Sequence, residues 1–332
     1  MKITVLVLTL LLAGCSSKST LPTVRIGIVG NGLQTWCLPI TLAQSLGYYK
    51  EEGLAVELEN LPSTGKSMQA LVGGSVDVST VTYQQVVQIG AEGQRLRAFF
   101  ITTARPSNVL LVAPAAQQRI SRVEDLKGAL VGISAPGSNG HAWVNAVLLS
   151  HGIRPSEFTV VTIGVGAARV AAIESGRIDV ASLGGGDHLI VLKRHPNLRI
   201  LLDSSTPEGL RASYGGDVYA GGTITAKQEW LDRNPDVARR LARALLRSLQ
   251  WSANHTPEEI RQQLPDAAKS QDAALDLEII RWGVKDYSKD GAMPMGAPGA
   301  MKRFNEANAE KLAQSNLNLA ATWTNEYLPL SK

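Results

Sequence analysis

The chain has 332 residues, 44% of them hydrophobic, and its 33 lysines and arginines against 29 aspartates and glutamates give a net charge of +4. That length exceeds the usual size of one domain, so we expect two domains. The net charge is small and the basic residues form no stripe along the sequence, which argues against a nucleic acid as partner. The chain has only two cysteines, which excludes a disulfide-rich fold.

The first residues have the pattern of a bacterial export signal. Lys2 precedes an apolar run that is too short to cross a membrane and that ends in LAGC at 12–15. Small residues before a cysteine resemble the lipobox, in which the cysteine is acylated and becomes the new first residue. We therefore expect residues 1–14 to be a lipoprotein signal peptide, Cys15 to be the lipid attachment site, and 15–23 to be a tether. Such a protein is held at a membrane, in the periplasm or on the cell surface; an ordinary export signal with an incidental cysteine is the alternative.

The other cysteine, Cys37, follows Trp36. In an exported chain such a thiol is more often a buried small hydrophobic residue than a reactive group. The sequence contains no HExxH and no cysteine–histidine pair at zinc spacing, so we expect neither a metal nor another cofactor.

Short apolar runs alternate with helical patterns along the chain, which is typical of α/β domains with parallel strands. The strand candidates are 24–31, 55–60, 76–81, 128–134, 158–164 and 178–184. The helical segments between them include 38–46, 67–72, 142–149 and 167–175. Residues 235–330 show apolar residues at helical spacing and no strand signal, so we expect supporting helices there.

Two segments of the first half recur in the second half. Residues 69–80 align with 171–182 at an offset of 102, and 26–32 align with 131–137 at an offset of 105. Similar offsets in separate segments indicate two lobes of the same α/β design. Each copy also carries one aspartate among apolar residues, which we expect to accept backbone N–H groups at the end of the preceding helix.

Four loops occupy equivalent positions in the two lobes, at 30–36, 80–84, 134–141 and 182–188. Each loop follows a predicted strand, and open α/β sheets bind their ligands at the carboxyl ends of strands. Two lobes that face each other would bring all four loops to one shared cleft.

The loop GISAPGSNGH at 132–141 joins a predicted strand to a predicted helix. It is not a nucleotide phosphate loop, because Ser138 and Asn139 stand where lysine and a hydroxyl residue are needed. It is not a nucleophile elbow either, because Ser134 lacks the flanking glycines. What remains is a helix N-terminus with free N–H groups and a partial positive charge. We expect Ser138 and neighbouring N–H groups to hold an oxyanion; a plain helix cap is the alternative.

The residues predicted to bind the ligand lie in or beside these loops, and none of them is assigned a catalytic role or a metal. They are Gly32, Gln34, Trp36, Ser63, Thr80, Thr82, Tyr83, Ser134, Gly137, Ser138, Asn139, His141, Gly185 and Asp187. Trp36 and Tyr83 are equally compatible with a core position, and Asp187 would repel an anion and suit an amine-bearing solute. The cation that would complement an anion stays open between Lys66, Arg105 and Arg211.

Five segments, in this order, resemble a known family: 38–58, 63–78, 123–138, 171–180 and 220–245. They begin with LPITLAQSLGYYKEEGLAVEL and include the loop at 134–138. The chain resembles the periplasmic solute-binding proteins of bacterial ABC importers, in the branch that serves nitrate, sulfonates, taurine and thiamine pyrimidine precursors.

This resemblance implies the type II periplasmic binding protein fold, an α/β fold of two lobes. Each lobe would be a mostly parallel sheet flanked by helices, and the ligand would lie in the cleft between the lobes. Residues 24–108 and 217–332 would form lobe 1, with the C-terminal helices packed on it, and 109–216 would form lobe 2.

The resemblance also implies a function. The protein would be a monomeric, lipid-anchored receptor, not an enzyme, that binds a small anionic solute bearing a sulfonate or carboxylate. It would deliver this solute to an ABC permease and its ATPase. One alternative is a receptor for a sensor or for another importer type. The other is an enzyme of thiamine pyrimidine synthesis, although the enzymes of that branch carry cysteine-rich motifs that are absent from this sequence.

Overall fold

A computed structural model describes residues 21–30, 32–165, 167–308 and 314–329. The predicted signal peptide and Cys15 lie outside these residues, as does most of the predicted tether. The described residues form two five-stranded sheets flanked by helices. This confirms the predicted fold class, an α/β protein built on two mostly parallel sheets.

The first sheet contains β1 (Thr23–Val29), β2 (Ala55–Leu61), β3 (Val78–Thr82), β4 (Leu96–Ile101) and β10 (Gly222–Lys227). Their order across the sheet is β2-β1-β3-β10-β4. Strand β1 is parallel to both its neighbours, whereas β10 is antiparallel to β3 and β4. The chain therefore leaves this sheet after β4 and completes it only when it returns as β10.

The second sheet contains β5 (Val109–Val112), β6 (Leu130–Ile133), β7 (Thr159–Thr162), β8 (Val180–Leu183) and β9 (Ile200–Asp203). Their order is β7-β6-β8-β5-β9, and only β5 among these strands is antiparallel to its neighbours. The antiparallel strand is thus fourth in both sheets. This shared topology agrees with the duplication seen in the sequence.

Eight helices lie between the strands: α1 (Leu38–Ser45), α2 (Tyr48–Glu51), α3 (Thr64–Gly73), α4 (Tyr83–Ala91), α5 (Asn139–Ser150), α6 (Ala167–Glu174), α7 (Asp187–Arg194) and α8 (Pro207–Tyr214), among the described residues. Five follow β10: α9 (Gln228–Arg233), α10 (Pro235–Ala253), α11 (Pro257–Gln263), α12 (Ala273–Val284) and α13 (Ala297–Asn308). Helix α10 packs on α1 and α2, but α12 contacts α7, and α13 contacts both α4 and α5. The C-terminal helices therefore touch elements of both sheets.

Helix α10 shows why the C-terminal segment folds as it does. Pro235 lies at its first position, where the missing N–H leaves no bond unmade. Leu241 and Leu245, four residues apart, are buried on one face, while Arg247 on the other side pairs with Glu51 of α2. Exposed ion pairs contribute little to stability, so the buried leucine face is what attaches the helix.

Two aspartates, Asp77 and Asp179, occupy equivalent places in the two sheets. The N–H of Arg25 donates to the Asp77 carboxylate at 2.9 Å, and the N–H of Leu130 donates to the Asp179 carboxylate at 2.8 Å. Arg25 and Leu130 lie near the start of β1 and of β6. The expected acceptor role is therefore present, but these backbone donors belong to the neighbouring strand and not to the preceding helix.

Asp286 follows α12 and is buried beside the backbone that leads from β4 to β5, where its carbonyl accepts the N–H of Ala104. Its buried Oδ2 has no hydrogen-bond partner. Burial raises the pKa of this carboxyl to about 6, although Lys285 and Arg105 act against the rise. Because the pKa is raised in the folded protein, ionisation of Asp286 destabilises the fold as the pH climbs from about 4 through 6.

We therefore expect the Asp286→Asn protein to melt at a higher temperature than the wild type at pH 7.5, and this advantage to vanish near pH 4. Melting curves across this pH range measure the effect, with Asp266→Asn as the control because the Asp266 side chain is 99% exposed. An Asp286→Asn advantage that does not change with pH would contradict the assigned titration.

Candidate ligand-binding site

A cleft between the two sheets is lined by loops from both. Its lining residues share a position near the carboxyl end of a strand or on the segment between the sheets. They are Val29, Gln34, Trp36, Pro62, Ser63, Thr64, Asn108, Ser134, Ser138, Asn139, Gly140, Val165, Arg169, Ser182, Gly184 and Asp187. The cavity has a volume of about 50 Å³, which holds on the order of a few water molecules.

Two helices, α3 and α5, begin at this cleft. Ser63 caps α3 by accepting the N–H of Lys66, and Ser138 caps α5 by accepting the N–H of His141, each at 3.2 Å. Both caps line the cleft, so the positive ends of two helix dipoles meet there. Among the described residues, the N–H of Gly140 in the first turn of α5 has no acceptor. Such a pair of N-termini favours an anion.

Arg169 of α6 places a cation in the cleft. It is only 4% exposed, its Nε donates to the carbonyl of Gly164 at 2.9 Å, and it forms an ion pair with Asp187 at the start of α7. A buried guanidinium is tolerated only when it is paired, and this pairing cancels the charge of Asp187. The repulsion of an anion expected from Asp187 is thus offset within the structure.

None of the three cations considered from the sequence lines the cleft. Lys66 bonds to Gln69, while Arg211 pairs with Glu208 and Asp217, and Arg105 is exposed. Arg169 was not among the candidates chosen from the sequence. The signal available there was an arginine next to the apolar positions Val170 and Ile173 of α6, in the segment that follows β7.

Hydrogen bonds join the two lobes directly beside the cleft. The N–H of Asn139 donates to Thr64 at 3.1 Å, and the hydroxyl of Thr82 donates to the Asn139 side-chain oxygen at 3.2 Å. The amide of Gln85 reaches both Thr64 and the carbonyl of Gly137. Within the second lobe, Asn139 is oriented by a bond that it donates to the side chain of Asn108 at 3.1 Å. This buried network holds the lobes in a closed arrangement.

Trp36 packs against the opposite lobe through two glycines. A Cβ on Gly185 would lie 3.0 Å from the Trp36 ring, closer than normal contact, so a side chain at this position would displace the ring. A Cβ on Gly184 would lie 3.6 Å from the ring, which is ordinary van der Waals contact. The indole N–H of Trp36 and the Oε1 of Gln34 are buried without partners. An unsatisfied buried polar group costs about 1–3 kcal/mol, and a polar ligand group in the cleft would remove that cost.

Several residues predicted to bind the ligand lie elsewhere. Tyr83 is fully buried with its hydroxyl 2.7 Å from Thr322, and the hydroxyl of Thr80 donates to the carbonyl of Gly27. Gly32 lies against Thr41, and the ring of His141 accepts the N–H of Gly137.

The other predicted residues lie at the cleft or at its border. Gln34, Trp36, Ser63, Ser134, Ser138, Asn139 and Asp187 line it. Thr82 and Gly137 belong to the network between the lobes, and Gly185 lies at the Trp36 ring. The predicted loop 80–84 is wrong, because β3 runs directly into α4 at Tyr83. The end of β3 and the start of α4 supply a contact between the lobes, while the loop after β2 supplies part of the cleft wall.

Cys37 is buried, and burial raises the pKa of its thiol to about 11. The thiol therefore stays protonated at neutral pH and accepts a weak hydrogen bond from the N–H of Val29 at 3.4 Å. Within the described part of the chain, no group of three histidine, cysteine, aspartate or glutamate side chains is placed to hold a metal ion. Nor does any helix of that part combine the length and apolarity needed to cross a membrane.

Two sheets of one topology, with a cleft lined at their strand ends, define a bilobal protein of the periplasmic binding protein class. The chain belongs to the NMT1/THI5-like family, whose model matches residues 34–260.

Relatives of known structure or name support this assignment. A solved structure from Bordetella bronchiseptica RB50 is 30% identical, with a TM-score of 0.84 over 92% of this chain and 95% of that one. The alkanesulfonate-binding protein SsuA of Xanthomonas axonopodis pv. citri, solved with MOPS bound, is 17% identical, with a TM-score of 0.69 over 91% and 98%. The YtlA protein of Bacillus subtilis (strain 168), which carries the provisional name of a binding protein, is 24% identical over 84% of this chain and 79% of its own.

One similar protein is named as an enzyme. The 4-amino-5-hydroxymethyl-2-methylpyrimidine phosphate synthase of Schizosaccharomyces pombe (strain 972) is 29% identical, but over only 43% of this chain and 39% of its own. SsuA and YtlA, by contrast, are each similar over most of this chain, and both are named as binding proteins.

Proposed function

We propose that this protein is an extracytoplasmic receptor that binds an organic solute through one anionic group, a sulfonate or a carboxylate, and delivers it to an ABC importer. The observation that carries the proposal is the meeting of the N-termini of α3 and α5 with the buried guanidinium of Arg169 in one cleft. Three sources of positive potential converge there, and a single carboxylate opposes them.

The anionic group would lie between Ser134, the N–H of Gly140 and Arg169, with the indole N–H of Trp36 as a further donor. Ser134 makes no side-chain hydrogen bond to a described residue, so its hydroxyl is available to a ligand. We propose that residues 24–108 with 217–332, and residues 109–216, move as the two lobes that open for solute and close around it.

A thermal-shift screen tests the proposal. Alkanesulfonates, carboxylates, nitrate and pyrimidines are added to the purified protein, and a binder present at 100 times its Kd is expected to add about 2.7 kcal/mol of stability. The expected binders are organic anions. A screen in which only neutral or cationic solutes raise the melting temperature would refute the anionic assignment.

Ser134→Ala is the variant matched to this screen. We expect it to weaken the best anion by about tenfold, because a hydrogen bond to a charged group contributes about 1.5–3 kcal/mol, and to leave the unliganded melting temperature unchanged. Ser150→Ala, at the far end of α5, is the control, since the Ser150 hydroxyl bonds only to the nearby Val147 carbonyl and His151 ring, away from the cleft. Ser138 is not suited to this test, because its loss uncaps α5 at a cost of about 1 kcal/mol. Unchanged affinity in Ser134→Ala would move the anion away from this loop.

The proposed location rests on the N-terminal sequence, and the proposed partners rest on the family. We propose that Cys15 is acylated after removal of 1–14, and that the monomeric receptor meets a permease and its ATPase at the membrane. A single acyl chain binds a membrane reversibly, so more than one is expected to hold it. Fractionation of cells expressing Cys15→Ser tests this: the variant should leave the membrane fraction, and a variant that stays there would refute the lipid anchor.

A further inference from the structure

A second cavity adjoins the cleft and differs from it in chemistry. It has a volume of about 360 Å³ and lies between the loop after β1, helix α7 and helix α12. Five of its lining residues are apolar: Leu33, Val165, Ile190, Leu275 and Ile279. We call it the apolar chamber.

The apolar chamber adjoins the cleft. Gln34, Val165 and Asp187 line both cavities, so a solute that reaches from one space into the other passes these three residues. The cleft alone, at about 50 Å³, has room for an acid group but not for an organic solute, whose sites usually measure about 300–1,000 Å³. The remainder of a solute therefore needs the neighbouring space.

The carboxylates at the chamber wall are already compensated. Asp276 is fully buried, pairs with Arg261 at 2.9 Å and accepts the hydroxyl of Ser270 at 2.6 Å. Asp187 is paired with Arg169. The described residues that line the chamber leave no free cation for a second charge on the solute, which would also have to give up its water. An uncharged, apolar group therefore fits the chamber better than a charged one.

We propose that the apolar chamber is the tail site of this receptor: the solute is an organic monoanion whose acid group lies in the cleft and whose uncharged hydrocarbon tail lies between α7 and α12. The inference rests on the proposed function, because it needs the acid group to be held in the cleft. It adds that affinity depends on tail length and that a tail ending in a charge is rejected.

The tail also touches both lobes. Leu275 and Ile279 belong to α12 and pack in the core around the first sheet, whereas Ile190 belongs to α7, after β8 of the second sheet. A hydrocarbon tail between them buries apolar surface of both lobes at once. Longer tails therefore favour the closed arrangement as well as binding more tightly.

The test uses two homologous series of probes on the full chain, 1-alkanesulfonates and n-alkyl carboxylates from one to eight carbons, measured by titration calorimetry. We expect affinity in the preferred series to rise by about fourfold for each CH₂ that enters the chamber, and then to level off. An α,ω-disulfonate or dicarboxylate of the same length is expected to bind no better than the one-carbon acid.

Ile190→Glu places a charge in the chamber without touching the acid site, because Ile190 lines only the chamber. This variant should bind the one-carbon acid as the wild type does and lose the gain with chain length. Ile190→Gln is the second variant in case the glutamate disturbs folding, and Ile200→Glu, at an exposed strand position, is the control.

Three outcomes would overturn the inference. If the one-carbon acids bind but longer ones bind no better, the tail site is wrong and the anion site stands. If the chain-length gain persists in both Ile190 variants, the tail lies elsewhere. If no acid of either series binds, the proposed function fails first and the tail site fails with it.

Discussion

Replacing Arg169 by methionine is expected to weaken binding of the best anion by about 10- to 100-fold, since hydrogen bonds to charged groups contribute about 1.5–3 kcal/mol. The same change is expected to lower the free energy of unfolding by about 3–5 kcal/mol, because it leaves the Asp187 carboxylate without its counter-ion in a largely buried place. The loss of stability is larger than that expected from removing any hydroxyl of the cleft. Calorimetry and urea unfolding measure the two effects on the same preparation.

A second substitution separates binding from stability. In Arg169→Met with Asp187→Asn both charges are absent, so most of the lost stability should return, because neutral replacements of a buried pair often fold as well as the pair. Binding should not return, since the cation is still missing. If the double variant recovers affinity, Arg169 only neutralises Asp187 and does not attract the ligand.

Asn139→Ala is expected to open the protein in the absence of ligand. It removes the bonds to Thr82 and Asn108 and leaves the Asn108 side-chain oxygen buried without a donor. The bond to Thr82 crosses between the lobes and contributes about 1 kcal/mol to closure, which corresponds to roughly a fivefold shift towards the open form. The bond to Asn108 lies within the second lobe, because Asn108 is itself bonded to Ser204 and Tyr214. The apparent affinity for the ligand is expected to fall in proportion to the fraction of protein that remains closed.

Small-angle scattering of the unliganded protein measures this opening as a larger radius of gyration, and calorimetry measures the lower affinity. Asn145→Ala is the control on the same helix, because the Asn145 side-chain oxygen has no partner to lose. Equal radii for Asn139→Ala and the wild type would show that the network does not hold the lobes together.

The sequence pattern located the strands that carry a local signal and missed those that depend on distant partners. Strands β1, β2, β3, β6, β7 and β8 all lie within or near the six runs chosen from apolar periodicity. Strands β4, β5, β9 and β10 were not among them. The ladder of β10, for example, joins residues such as Ile224 and Thr80 that are far apart in the chain. Short strands of that kind have no local periodicity by which to recognise them.

The sequence predicted where in the fold the cleft lies, but it did not predict all of the residues that line it. Strand ends can be recognised from sequence, so the loops containing Trp36, Ser138 and Asp187 were expected to meet, and these three residues do line one cavity. Their binding of a ligand stays a prediction. Whether a loop faces the cleft or the core depends on sheet order, and this is why Tyr83 was included while Thr64 was not. Arg169 is held in the cleft by its ion pair with Asp187, eighteen residues further along the chain. A pairing at that separation has no periodic pattern in the sequence from which to predict it.

The late arrival of β10 in the first sheet has a consequence for how the polypeptide acquires its shape. All five strands of the second sheet lie within 109–203, so this half can assemble as soon as that stretch is available. The first sheet must keep a gap between β3 and β4 until residue 222 has emerged, although its other strands come earlier. Long-range pairing is slow to form, so the later-made half is expected to become protected first in pulsed hydrogen exchange. The amino-terminal half then waits, partly exposed, for the strand that completes it.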